Sequence, residues 1–470
     1  VVVALAVLLL MGATPSPAQL ASSGTRIHWG AVVSGSLYGL PEPALDMRAV
    51  DAFESHAGKR ISLLHLGQTW YANGMAKLFP RQQFDNVRNH GAIPFFSWAS
   101  QDSSLSRTNQ PAFRNSVIAS GAYDDYIRQF ATDAKNWGHP FFLRFDWEMN
   151  GWWYPWGEGL LGTTGSIVNG NASGDYVRMW RHVRDVFDEV GATNVTWVWC
   201  INHIAVPTSD GTYPPVSQTY PGDSYVDWSG YDAYNRYPGW LTFNGSTTGA
   251  GTGWMLNTYQ ALLDVAPTKP IMLAEFGSKE DPADTTRKAS WLSEALTTDV
   301  PVNFPRIKAI VYYNRNDSTS PTNPDSTIAI ESSPQTQAAF AAGIGVGYYA
   351  GSEFSTLAAG KIYPLPDPDP TMPGAASLVA TPVLGAVILK WSPPASDGGA
   401  PITNYRIYRG TASGGETFLN EVGNDSTYTD TNVTGGTAYW YRVTAINAAG
   451  EGPASDERSA TPQLAATVPN

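Results

Sequence analysis

Between about residues 26 and 350, short apolar runs alternate with amphipathic stretches, and this rhythm restricts the possible folds more than any other feature of the chain. Candidate strands fall at 26–32, 61–66, 92–98, 141–145, 195–201, 225–231, 270–274 and 307–313. Helical spacing appears between several of them. Tyr126, Ile127 and Phe130 fall on one face of 123–136, and Val177, Trp180, Val183, Val186 and Phe187 recur at three- and four-residue intervals in 176–190. Eight near-continuous apolar strands separated by helices predict an α/β fold, a (β/α)8 barrel spanning 24–350, whose usual size is roughly 250 residues plus insertions. A doubly wound open sheet has less support, because no glycine-rich phosphate loop follows the first strand.

The pattern then changes. Pro364, Pro366, Pro368, Pro370 and Pro373 crowd one short stretch, which reads as a semi-rigid spacer over 351–373. From 374 to 463 the runs AVILKW, NYRIYRG and TAYWYRVTAIN are broken by turn clusters, as in a β-sandwich. A short tail, 464–470, follows. At the other end, VVVALAVLLLMG precedes small residues and proline. This predicts a bacterial-type export signal over 1–18 and a secreted, extracellular protein. The apolar run is shorter than the roughly 20 residues a bilayer span needs, so no membrane association is expected once the signal is removed. Cys200 is the one cysteine. No intramolecular disulfide can form, and a thiol in TWVWCIN reads as a small core side chain.

Net charge is −12, with Lys+Arg 29 against Asp+Glu 41. No basic footprint for nucleic acid is present. The seven histidines lack paired ligand spacing, so neither metal nor cofactor is implied. A monomer is expected. Of 17 tryptophans, 15 precede residue 350, which places ligand contact in the barrel.

Two glutamates stand at the ends of candidate strands four and seven, Glu148 in RFDWEMNGWWYPWG and Glu275 in LAEFG. Burying a carboxylate there is costly, because desolvation disfavours its charged form. Barrel strands present their C-terminal ends at one rim, so both acids should face the same opening. Trp147, Trp152, Trp153, Tyr154 and Trp156 cluster beside Glu148, which suits a pocket for a flat ligand face. Acids combined with stacking surfaces point to sugar, and to the acid/base and nucleophile pair of a glycoside hydrolase. Trp98, Trp153 and Trp156 are the candidate stacking platforms, with core packing the alternative for one or two of them. Asn150 could bond a sugar hydroxyl or cap its loop. Arg144 should pair with a rim carboxylate in a structural role. Trp147 helps to bury Glu148 and so raise its pKa.

The EMNG-plus-aromatics segment resembles the acid/base strand of glycoside hydrolase family 26. LAEFG resembles that family's nucleophile strand, and VDWSGYDAYN its sixth strand. The resemblance covers roughly 25–350 and implies a retaining hydrolase with Glu148 as acid/base and Glu275 as nucleophile. It implies that Tyr234 hydrogen-bonds the nucleophile, although a core tyrosine is the plain alternative, and that Trp153 lies at the sugar subsite before the cut. Where the family has an eighth-strand tryptophan flooring that subsite, this chain offers Tyr313. The implied activity is an endo-acting β-mannanase on β-1,4-mannan. β-1,3-1,4-Glucanase and β-1,3-xylanase activity are alternatives within the family, and a non-catalytic carbohydrate-binding barrel is one outside it. The chain departs from the family pattern at Trp147, where a histidine is usual, and at Ala99, where a Trp-His pair is common. WSPP at Trp391, NYRIYR and YWYRVTAINAAGEGPAS closely resemble a fibronectin type III domain, with Tyr439 at the position of its corner tyrosine.

Overall fold

The computed structural model describes residues 26–160, 166–204, 215–236, 240–249, 255–320, 323–357, 360–366 and 370–464. The expected export signal at 1–18, and all but the first residue of the expected tail, lie outside these. Two compact units are present, Arg26–Leu365 and a second beginning at Pro366. Among the described residues no helix is long and apolar enough to cross a membrane.

The first unit is a closed parallel barrel. Its eight strands are His28–Val33, Leu63–Ala72, Ile93–Asp102, Phe141–Phe145, Val195–Asn202, Trp228–Asn235, Ile271–Ser278 and Ile307–Asn314. Each pairs in parallel with its successor, and the first pairs with both the second and the eighth, so no edge remains. All eight expected strands form. Seven of them run beyond the expected range at the C-terminal end, and in all but the first of these the added residues include polar ones.

Helices cover the outside. Asp175–Val190 buries Met179, Trp180, Val183, Val186 and Phe187 against the sheet. Each such side chain contributes on the order of 1.5–3 kcal/mol. The helix stops at Gly191, whose φ of 77° is a left-handed conformation that costs glycine little. Asp124–Trp137 buries Ile127, Phe130, Ala134 and Trp137 in the same manner.

Inside the barrel, Leu63, Phe95, Phe142, Val198, Cys200, Trp228, Met272 and Val311 form a second core. Phe354 and Ile362 join it, and the Trp228 indole donates to the Ile362 carbonyl at 2.9 Å. Residues 351–365, read from composition as the start of a spacer, therefore belong to the barrel unit. Apolar side chains within that stretch find a buried surface.

The second unit is a sandwich of two antiparallel sheets. Ser377–Val383, Ala386–Ser392 and Thr427–Asp430 form one. Thr417–Val422, Asn404–Gly410 and Tyr439–Asn447 form the body of the other. Trp391, Tyr405, Ile407, Tyr441 and Val443 fill the space between them. The Thr434 backbone N–H donates to the Tyr439 hydroxyl at 3.0 Å, which ties the corner five residues back along the chain.

Candidate active site

The fourth strand ends at Phe145, and the backbone leaves it in an unusual way. Asp146 and Glu148 have φ of 42° and 56°, left-handed values that cost non-glycine residues free energy. Surrounding bonds hold this exit in place. Asp146 accepts from the Ser100 backbone N–H at 2.8 Å and from its hydroxyl at 2.5 Å, and the Glu148 N–H donates to the Cys200 carbonyl at 2.8 Å. The chain turns again at Gly151, where a Cβ would lie 2.4 Å from the Trp153 ring. Glycine there lets Trp153 fold back and donate its indole N–H to Glu148 Oε2 at 2.5 Å.

Glu148 Oε1 accepts from the Asn202 side-chain amide at the end of the fifth strand. Asn150 holds that strand end in place. Its amide donates to the carbonyls of Asn202 and Ile204 at 2.9 and 3.1 Å, and its oxygen accepts from the Asn202 N–H at 2.8 Å.

Glu275 lies on the seventh strand, opposite Asp232 of the sixth, where a bulge shifts the register between Tyr231 and Asp232. It accepts from Arg144 and from the Tyr234 hydroxyl. Arg144 is fully buried. It bonds both Asp232 carboxylate oxygens at 3.0 Å through Nη1 and Ser97 Oγ at 2.8 Å through Nε, and its Nη2 lies 3.2 Å from His65 Nε2. Its guanidinium also stacks 4.8 Å from the Trp147 ring centre. The expected rim partner is thus a pair of buried acids.

The two glutamates titrate in opposite directions. Burial and then the charge of Glu275 raise Glu148 above the usual carboxylate range, against the opposing donors Asn202 and Trp153. Burial would raise Glu275 as well, but Arg144 and the Tyr234 hydroxyl outweigh it and hold Glu275 low. His65 pulls the same way only when charged. Burial and Arg144 drive its own pKa down to about 3, so near neutrality it is an uncharged partner and Arg144 supplies the cation.

Both glutamates line one cleft of about 460 Å³, together with Trp153, Tyr154, Asn202, Tyr234 and Tyr313. Glu148 is 7% exposed and Glu275 is 9% exposed, so each presents a small face to it. Tyr313 packs edge-on against Tyr234 at 5.6 Å.

Three expected sugar contacts are elsewhere. Trp98 is completely buried between Trp70 and Phe130, at 4.8 and 4.4 Å, because its side chain points outward from the third strand toward the helices. Trp156 is buried under Tyr154, stacked at 4.6 Å, and donates to the Trp147 carbonyl. Asn150 spends its amide on the fifth-strand backbone. Conversely, Asn202, Asp232 and His65 went unnoticed in the sequence. The signal available for them was a polar residue within or just after an apolar strand, in WCINH, GYDAY and LLHLG.

Comparison with known proteins bears on this geometry. Residues 86–245 match the model of the family described as Glycosyl hydrolase family 26, and 384–461 that of the Fibronectin type III domain. The barrel is a glycosyl hydrolase family 26 domain. Endoglucanase H of Acetivibrio thermocellus is 32% identical to this chain over 306 residues, covering 64% of the chain and 29% of that protein. The chain thus spans less than a third of that protein's length. Among solved structures, a GH26 β-mannanase from Bacteroides ovatus is 15% identical with a TM-score of 0.47, covering 73% of this chain and 96% of that one. A β-mannanase from a symbiotic protist of the termite Reticulitermes speratus, complexed with gluco-manno-oligosaccharide, is 16% identical with a TM-score of 0.45, again covering 73% and 96%. Identities this low carry nothing about substrate.

Proposed function

We propose that this chain is an exported, retaining endo-β-glycanase. Glu275, ionised, attacks the anomeric carbon while protonated Glu148 hands its proton to the leaving oxygen, giving a glycosyl-enzyme. Esterification removes the charge on Glu275, so the pKa of Glu148 falls and it can deprotonate the incoming water. Tyr234 and Arg144 hold Glu275 in line, and Trp153 and Tyr313 offer surfaces to the sugar. The observation that carries this reading is the opposite displacement of two carboxylates facing a single cleft.

For the backbone, the family resemblance implies β-1,4-mannan. The relative named Endoglucanase H favours another reading, a β-glucan, and the family resemblance implies the 1,3-1,4-linked kind. Trp147 and Ala99, which stand where the family's histidines are usual, agree with a site altered from mannan recognition, so the glucan is the reading we place first. The test is digestion of lichenan, galactomannan, glucomannan, laminarin and both xylan types, recording product sizes and the anomeric configuration first released. Inverted products, or no cleavage of any polymer, would remove the assignment. The sandwich takes no part in the chemistry, and removing residues 366–470 is expected to leave hydrolysis of a soluble polymer intact. Export rests on the apolar run at 1–18, and mass measurement of the N-terminus in culture fluid tests it.

A further inference from the structure

Beside the catalytic cleft runs a groove of about 440 Å³, and the two share Arg107 and Tyr154 as a common wall. Its lining includes Gln68, Lys77, Gln101 and Trp147. The charge content of the two spaces differs. The cleft is lined by three carboxylates, Glu148, Glu275 and Asp317, and by two guanidiniums, Arg236 and the shared Arg107, whereas the groove has Lys77 and Arg107 and, among the described residues, no carboxylate.

Neither cation has an ion-pair partner among the described residues. Lys77 is tied at its backbone and Arg107 at its side chain. The Lys77 backbone is pinned on both sides, its N–H to the Trp70 carbonyl at 2.8 Å and its carbonyl to the Tyr126 hydroxyl at 3.0 Å. The Arg107 guanidinium sits 4.7 Å above the Tyr154 ring, which in turn stacks on buried Trp156. In a chain of net charge −12, two cations in one groove, without an ion-pair partner among the described residues, favour an anion there.

A neutral sugar hydroxyl both donates and accepts, so a groove for neutral glycan gains from carboxylate acceptors as well as donors. Lys and Arg offer donors only, and they bind an anionic oxygen more strongly than a neutral one. Arg144, which Glu275 shares with Asp232, offsets part of the repulsion that Glu275 would exert on a ligand anion. We propose that this groove takes a sugar bearing an anionic substituent, carboxylate or sulfate ester, next to the bond being cut, with Lys77 and Arg107 as its specificity-determining residues. The proposal rests on the hydrolase reading above and names the substrate class within it.

The test uses the full chain on each neutral β-glycan it cleaves, and on the same polymer oxidised at C6 to carboxylates or lightly sulfated, at matched substitution. The readout is the ratio of kcat/KM for the anionic polymer to that for its neutral parent. At low ionic strength one or both anionic forms give a ratio above one, and the difference between them identifies the group recognised. In about 0.5 M NaCl the ratio falls, because screening weakens attraction in an open groove. Lys77→Gln and Arg107→Gln each lower the ratio by roughly threefold, the scale of a solvent-accessible ion pair. Thermal unfolding confirms that both variants are folded. A ratio at or below one for both anionic forms, or a ratio that neither substitution moves, would overturn the proposal while leaving the hydrolase reading intact. Failure to cleave any polymer, neutral or anionic, would instead overturn the hydrolase reading and this proposal with it.

Discussion

Asp232 and Glu275 lie directly opposite each other on adjacent parallel strands, and one buried guanidinium, Arg144, serves both. Two acids so close in a dry interior would each favour the protonated form. With the cation between them, the one facing the cleft stays charged. Its charge therefore depends on a residue that sits behind it.

Replacing Arg144 with Met should act on both stability and chemistry. Leaving two buried carboxylates without their cation is expected to cost about 3–5 kcal/mol. In whatever fraction remains folded, the acidic limb of the pH–rate profile should move to higher pH as Glu275 becomes easier to protonate. Denaturant melts and a pH series would check both effects. An unchanged acidic limb would mean that Arg144 does not set the charge of Glu275.

For the intact protein, kcat/KM should follow a bell in pH. The acidic limb belongs to Glu275 and lies below the ordinary glutamate value of about 4.3, and the alkaline limb belongs to Glu148 and lies above it. Asn202→Ala deletes a donor that favours the charged form of Glu148. The alkaline limb must then shift upward, and a downward shift would show that the acid/base has been misassigned.

Glu275→Ala should lower turnover by roughly a thousandfold or more, since covalent catalysis loses its nucleophile. The melting profile should stay close to that of the parent, because the shortened side chain opens onto the cleft. Near-normal release of reducing ends would discard the retaining mechanism.

Gly151→Ala places a methyl group where the Trp153 ring lies. The ring must move, breaking its bond to Glu148 and removing a cleft wall. A fall in kcat/KM of roughly tenfold is expected, about 1.4 kcal/mol of transition-state stabilisation, with little change in melting. Indole fluorescence with and without oligosaccharide would report the displacement.

Trp98→Ala separates packing from sugar contact. A fully buried tryptophan replaced by alanine should lose about 3–5 kcal/mol of stability. KM measured well below the lowered melting temperature should not change. A selective rise in KM would return Trp98 to the substrate.

How much of this could be read without coordinates follows from the range of the interactions involved. The eight strands, the two long amphipathic helices and the sandwich were legible because hydrophobic periodicity is a local property, and each element must bury one face whatever its neighbours are. Glu148 and Glu275 were legible through their joint pattern, two acids after apolar runs with aromatics clustered beside the first. The aromatic cluster after Glu148 was recognised, yet its members could not be sorted. Trp153 and Trp156 differ in role because one folds back over Gly151 and the other slides beneath Tyr154, and spacing does not encode that choice.

The amino-acid order alone settled the number and sequence of strands, the two-unit plan and the pair of acids at the barrel mouth, since each depends on neighbours close along the chain. Barrel closure decided the rest. It brought Ser97, Arg144, Asp232 and Glu275 from four strands into one hydrogen-bonded group, turned Trp98 toward the helices, and left Lys77 and Arg107 in a groove that has no acid among the described residues. These outcomes depend on distances between residues far apart in sequence, and they exist only once the first strand has paired with the eighth.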